Sequence, residues 1–253
     1  MDGGITPFLI VCPLVFLGGF LDAIAGGGGL VTLPAYLLAG VPIHNALATN
    51  KLSSIVGTLT STIRFWKNNC IDAPLVLPSV ATALAGAMFG SRLALMVGGE
   101  YLSRLLIFVL PAAALVVLRQ KHFGTAPAPI SRGKAGCVAA AVSLAVGVYD
   151  GFYGPGAGTF FLLLYISLAR MDARSANGNS KFVNLASNLG ALATFVASGK
   201  IYIALGLAAA VFSVLGHYVG SGLALKRGAA VIRPVIIVVL VLLFIRVATT
   251  GGA

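Results

Sequence analysis

The sequence predicts an all-α polytopic membrane protein made of two inverted repeats, each a glycine-broken helical hairpin followed by three transmembrane helices. Three observations predict it: charge too sparse for a wetted surface, apolar stretches recurring along the whole chain, and a string of residues that returns at a fixed offset. Of the 253 residues, 58% are hydrophobic and 9% charged, and the mean hydropathy is +1.01. Soluble domains carry charge on about a quarter of their positions, so this composition cannot cover a surface facing water. The apolar stretches run over 5–20, 30–38, 74–97, 101–118, 135–148, 160–169, 182–197, 201–225 and 231–247. Several reach the roughly 20 residues that a helix needs to cross the hydrocarbon core.

The formal net charge of +11 comes from 17 Lys plus Arg against 6 Asp plus Glu. Most of the basic residues fall between the apolar stretches, which is the pattern of a protein oriented in a lipid bilayer and not of a nucleic-acid surface. Cys12, Cys70 and Cys137 show neither disulfide nor metal-ligand spacing and read as apolar filler. Asp2 precedes the first apolar run and no Lys or Arg does, so that run is expected to stay in the mature protein.

The repeat is explicit. Gly86, Gly90, Ser91, Leu93, Ala94 and Leu95 return at Gly216, Gly220, Ser221, Leu223, Ala224 and Leu225, an offset of 130 (216 − 86). Lys51 falls on Lys181 at the same offset, and Asp22, Gly26 and Gly28 meet Asp150, Gly154 and Gly156 at 128 (150 − 22). Ordered matches over most of each half indicate duplication. The expected units are a first repeat over 1–119, a cytoplasmic linker over 120–134 and a second repeat over 135–253.

Charge placement selects the orientation of the repeats. If each broken run doubles back, one face receives Arg64, Lys67, Arg119, Lys121, Arg132, Lys134, Arg170, Arg174, Lys226, Arg227 and Arg233, against Arg104, Lys200 and Arg246 opposite. If each broken run crosses once, the same residues divide almost evenly. The lopsided split favours inverted halves, with both termini outside and the linker inside.

Two glycine breaks at equivalent places, Gly26-Gly27-Gly28-Gly29 and Gly154-Pro155-Gly156-Ala157-Gly158, point to one central site. Unwound backbone is tolerated at membrane depth only where protein buries it or it lines a watery cavity. Free N–H groups at the start of a half-helix suit the oxygens of an anion. The alternative is that the glycines only let helices pack closely. Polar strings follow each break: His44 to Ser54 includes Asn50 and Lys51, and Arg174 to Asn184 includes Asn179, Ser180 and Lys181. A lone lysine there would snorkel to the interface, but a symmetric pair beside two breaks is expected to serve the site. Asp22 and Asp150, each four residues ahead of its break, are expected to pair with these lysines. That pairing either neutralises charge structurally or opens so that an Asp holds a coupling proton. His217 reads as a packing residue, and His44 and His122 as loop residues.

The expected substrate-binding set is therefore Gly26, Gly27, Gly28, Gly29, Asn50, Lys51, Gly154, Gly156, Gly158, Asn179, Ser180 and Lys181, with Asp22 and Asp150 balancing charge or coupling. No catalytic residue, metal ligand or cofactor is expected. A phosphate-binding loop, H-E-x-x-H and G-x-S-x-G are all missing, which favours gradient-driven transport over ATP hydrolysis. Two rivals stand beside a secondary transporter. An intramembrane enzyme using His217 with Asp22 or Asp150 would alter its ligand, and a channel would show unsaturable flux.

The broken first helix of each half, over Asp22 to Thr32 and Asp150 to Thr159, followed by Ala48-Thr49-Asn50-Lys51 and Asn179-Ser180-Lys181, resembles the TauE/SafE family of sulfite and organosulfonate exporters, also called toluenesulfonate uptake permeases. The resemblance covers essentially the whole chain. It implies a permease of the bacterial inner (plasma) membrane whose substrates are sulfite, sulfonates or related sulfur-containing anions, moved in either direction. The two halves depart from each other at the breaks and at Arg174, which stands where His44 would be.

Overall fold

The computed structural model describes residues 4–101, 130–228, 230, 231, 234 and 235. The expected 101–118 helix beyond Tyr101, most of the linker, His122, and Arg104, Arg119, Lys121, Arg233 and Arg246 lie outside the described residues. Eight helices occupy the described residues: α1 (Thr6–Ala25), α2 (Gly29–Leu38), α3 (Ile43–Lys67), α4 (Ala73–Met96), α5 (Arg132–Phe152), α6 (Ala157–Ser167), α7 (Ala173–Ala197) and α8 (Ile203–Arg227). Among them, α1, α4, α5 and α8 are long and apolar enough to cross a membrane. Their outer faces carry exposed Leu9, Leu77, Phe89, Leu207 and Val211, side chains that suit lipid and not water.

Two boundaries differ from the apolar stretches. Helix α7 starts at Ala173, nine residues ahead of the apolar run at Phe182, because Asp172 caps it. The Asp172 carboxylate accepts the N–H groups of Arg174 and Ser175, each at 3.0 Å. Burial pulls this carboxyl upward, but those bonds outweigh it and hold its pKa below the ordinary value. His44, expected in a loop, sits in the first turn of α3, where its Nε2 lies 3.1 Å from the carbonyls of Ala94 and Val97 at the end of α4. In both places polar residues are helical because neighbouring helices satisfy them, a fact that apolar runs do not register.

α1 and α2 form a tight hairpin. A Cβ on Gly28 would fall 2.5 Å from the Gly18 carbonyl oxygen and 2.7 Å from the Asp22 Cβ, so the returning helix lies directly on the outgoing one. The longer contacts exchange helices between halves. α4 lies along α5 in the same direction, with Ala83 against Gly147 and Ala87 against Gly151, and α1 lies along α8 in the same direction, with Phe16 against Gly216 and Phe20 against Gly220. Such backbone-to-backbone approach is how helices associate where lipid removes the hydrophobic drive between them. α3 runs with α8, joined by the Tyr202 N–H to Thr49 Oγ1 bond at 3.0 Å and by the Ser61–His217 contact at 3.1 Å. α7 runs with α4, joined by the Asp72 N–H to Asn179 Oδ1 bond at 2.9 Å. Each half is thereby held mainly by the other, and both glycine breaks are carried to the centre.

Candidate functional site

The breaks meet backbone to backbone. Gly26 packs on the Gly158–Thr159 peptide, Gly29 lies against Pro155, and the Thr159 hydroxyl donates to the Ala25 carbonyl at 3.0 Å. Gly26, Gly27, Gly154 and Gly156 have φ of 81°, 100°, 98° and 85°, which bends the chain sharply ahead of α2 and α6. The Tyr149 hydroxyl closes the second break by donating to the Pro155 carbonyl at 2.6 Å. Among the described residues, the N–H groups of Gly27, Gly29, Gly156 and Gly158 reach no protein acceptor. All four glycines line a partly open cavity. Its walls also include Asp22, Asn50, Lys51, Asp150, Gly28 and Gly154.

The expected Asp–Lys pairs form, and they cross between halves. Lys51 of α3 binds Asp150 of α5 at 2.8 Å, and Lys181 of α7 binds Asp22 of α1 at 3.0 Å and also donates to the Asp22 carbonyl. Neither lysine snorkels, since their side chains are 4% and 0% exposed. The pairs are not equivalent. Lys51 lines the cavity and donates to Asp150 and to Asn188 Oδ1 at 2.9 Å, leaving the third hydrogen of its ammonium for a ligand. Lys181 does not line the cavity; it lies beneath Asp22. Asp150 accepts a further bond from the Ser187 hydroxyl at 2.5 Å, whereas Asp22 accepts the Gly28 N–H at 3.4 Å and faces His217 Nε2 at 3.7 Å.

Asn179 and Ser180 lie away from the cavity. Asn179 clamps Asp72 and donates to the Met171 sulfur at 3.4 Å, and the Ser180 hydroxyl donates to the Asn177 carbonyl at 2.8 Å. Gly26 is the contact between breaks and not a wall of the cavity. In their place the structure brings Thr32, Ser54, Thr58, Asn184, Asn188, Ser213 and His217 to the cavity. Helical spacing carried this signal. Lys51, Ser54 and Thr58, like Lys181, Asn184 and Asn188, stand at i, i+3 and i+7, which is one helix face. The Thr32 hydroxyl and Asn50 Oδ1, buried at the cavity, have no hydrogen-bond partner. Buried polar atoms are ordinarily paired, so these two mark places where a ligand or water is accommodated. The described residues contain no cluster of His, Cys, Asp or Glu that could hold a metal ion.

A largely polar cavity with Asp22, Asp150 and Lys51 on its wall, set between two broken helices and among apolar helices, suits the handling of a polar solute by a membrane protein. Comparison with known proteins agrees. The family model described as sulfite exporter TauE/SafE matches residues 11–247. The chain is similar to a probable membrane transporter protein ORF9 of Sinorhizobium sp, at 36% identity over 94% of this chain and 90% of that one. It is similar also to the probable membrane transporter protein YfcA of Escherichia coli K12, at 35% identity over 89% and 84%, and to one from Haemophilus influenzae, at 31% over 94% and 93%. No solved structure matches. With the family model matching nearly its whole length, this multi-pass membrane protein belongs to the sulfite exporter TauE/SafE family.

Proposed function

We propose that the chain is a secondary transporter of the bacterial inner membrane that moves a small sulfur-containing anion, a sulfonate or sulfite, through the cavity where the two breaks meet. The observation that carries this reading is the set of donors turned on that cavity: four unpaired backbone N–H groups, the Lys51 ammonium and the side chains of Asn184 and Asn188. A tetrahedral sulfonate gives up its hydration on entering the site, and directed donors replace that water. Helix N-termini at Gly29 and Ala157 add partial positive charge on the same side. Substrate-binding roles fall to Gly27, Gly28, Gly29, Asn50 and Lys51 from the first half and to Gly154, Gly156 and Gly158 from the second.

The test is uptake by proteoliposomes of a panel of labelled sulfonates and sulfite. Saturable uptake of at least one of them, recovered chemically unchanged, is expected. Unsaturable flux would indicate a channel, and an altered product an enzyme; either overturns the assignment.

The same reading includes two inverted repeats, 1–119 and 135–253, joined by a cytoplasmic linker over 120–134. Supporting it, α4 runs with α5 and α7 while α1 and α3 run with α8, so corresponding helices of the two halves point in opposite directions. A cysteine at exposed Ser131, placed in a chain lacking Cys137, is expected to resist impermeant maleimide in intact cells and to react after permeabilisation. Labelling in intact cells would reverse the orientation.

A further inference from the structure

The cavity holds charges that cancel. Asp22 and Asp150 on the wall oppose Lys51 on the wall and Lys181 beneath Asp22, and the remaining lining residues apart from His217 carry no ionisable group. A monoanion entering this site leaves one uncompensated negative charge at membrane depth, which is costly. One proton taken up with the anion removes that cost. The question is which group receives it.

Duplication supplies a comparison inside one molecule. At the 130-residue offset, Ser187 corresponds to Gly57 (187 − 57) and His217 to Ala87 (217 − 87). In the second half the Asp150 carboxylate is pinned by the Ser187 hydroxyl at 2.5 Å and by Lys51 at 2.8 Å. In the first half no hydroxyl stands at position 57, and the His217 ring fills the space: a Cβ on Gly57 would fall 2.5 Å from its Cδ2, and one on Gly19 3.0 Å from the same atom. A hydroxyl that only donates in one half is thus answered by an imidazole that can accept a proton in the other.

The Ser61 hydroxyl has one hydrogen and two neighbours that could take it, the Thr58 carbonyl at 3.0 Å and His217 Nδ1 at 3.1 Å. When it serves the carbonyl, Nδ1 carries the ring hydrogen and donates to the Ser61 oxygen, and Nε2 is the nitrogen left to accept a proton, facing Asp22 Oδ2 at 3.7 Å. The charged groups around the ring are Asp22 on α1, Lys181 on α7 behind it, and Lys51 on α3 and Asp150 on α5 across the cavity. Arg64 on α3 is held by the Tyr218 carbonyl and lies 4.2 Å over the Tyr218 ring.

We propose that His217 Nε2, facing Asp22, is the proton-binding site that couples transport, one proton per monoanion, and that the matching Asp150–Lys51 pair takes no proton. This rests on the transport reading above. Loading proceeds without net charge: a proton from water binds Nε2, the imidazolium pairs with Asp22, and the anion meets Lys51 and the break amides. Unloading reverses both steps.

The experiment uses the full-length chain in proteoliposomes, ethanesulfonate as an anion that does not titrate, and an inside-alkaline gradient of about one pH unit. Coupling at one to one without net charge fixes the plateau at about tenfold accumulation, since one pH unit is a factor of about ten. The plateau is set by thermodynamics, so a slower variant still reports it. Wild type is expected to reach that ratio whether or not the membrane potential is clamped, Ser187→Ala to reach it too, and His217→Gln to accumulate nothing above unity. His217→Gln reaching the wild-type ratio, or a wild-type plateau that follows membrane potential instead of pH, overturns the proposal. Absence of ethanesulfonate flux in wild type would instead count against the substrate reading. The histidine is then judged by ¹⁵N NMR of histidine-labelled protein between about pH 5 and pH 8. A His217 ring with hydrogen on Nδ1 and a titrating Nε2 upholds the site, and a ring that stays neutral across that range refutes it.

Discussion

Lys181→Gln is expected to lower stability by about 3–5 kcal/mol, because it removes the fully buried cation from the mostly covered Asp22 carboxylate. Lys181 is fully buried and serves Asp22 twice, at the carboxylate and at the carbonyl that precedes the break. Adding Asp22→Asn removes the orphaned charge and should restore much of the loss, giving a large coupling energy in a double-mutant cycle. Lys51→Gln has a different signature. Asp150 keeps the Ser187 hydroxyl, so the stability loss is smaller, but the cavity loses its ammonium. A hydrogen bond to a charged group is worth about 1.5–3 kcal/mol, which translates to an apparent KM raised roughly tenfold to a hundredfold. Unfolding midpoints in detergent and sulfonate uptake by the same preparations separate the two effects. Wild-type melting of Lys181→Gln together with unchanged KM in Lys51→Gln would refute the division of labour.

That division was only half legible in the sequence. Composition, the apolar runs and the repeat were enough for an all-helical membrane protein, because lipid imposes constraints on length and charge that show in any window of the chain. Asp22, Asp150, Lys51 and Lys181 stood out since ionised groups in apolar helices are costly. Which carboxylate meets which lysine depends on how the halves interlock, and no local window contains that. The polar string after the second break was read as one cluster, but a helix distributes its residues around an axis. Asn184 and Asn188 turn to the cavity, while Asn179 turns to the Asp72 amide on the neighbouring helix. The partners of His217, Ser61 and Asp22, lie 156 and 195 positions away (217 − 61 and 217 − 22), so no local window shows that the ring reaches the cavity.

Gly26→Ala is expected to be strongly destabilising, because strain and a backbone clash fall on the same residue. Gly26 has φ 81° and ψ 179°, a conformation reached almost only by glycine, and forcing another residue there costs about 1–3 kcal/mol. Its Cβ would also overlap the Gly158–Thr159 peptide, which is backbone and cannot turn aside, and overpacking of this kind costs about 1–3 kcal/mol more. The sum is a large part of the roughly 5–15 kcal/mol that holds a typical folded protein together. Gly40 provides the control. It has φ 76° but no atom within 4 Å of where a Cβ would stand, so Gly40→Ala carries conformational strain without a clash. Unfolding midpoints of the two variants should therefore differ by the cost of parting the breaks. Transport should fail in Gly26→Ala even where folded protein is recovered, because separating the breaks moves the Gly27 and Gly29 amides away from those of Gly156 and Gly158. Equal midpoints with transport retained in both variants would mean that the breaks do not need to touch, and the central site would lose its frame.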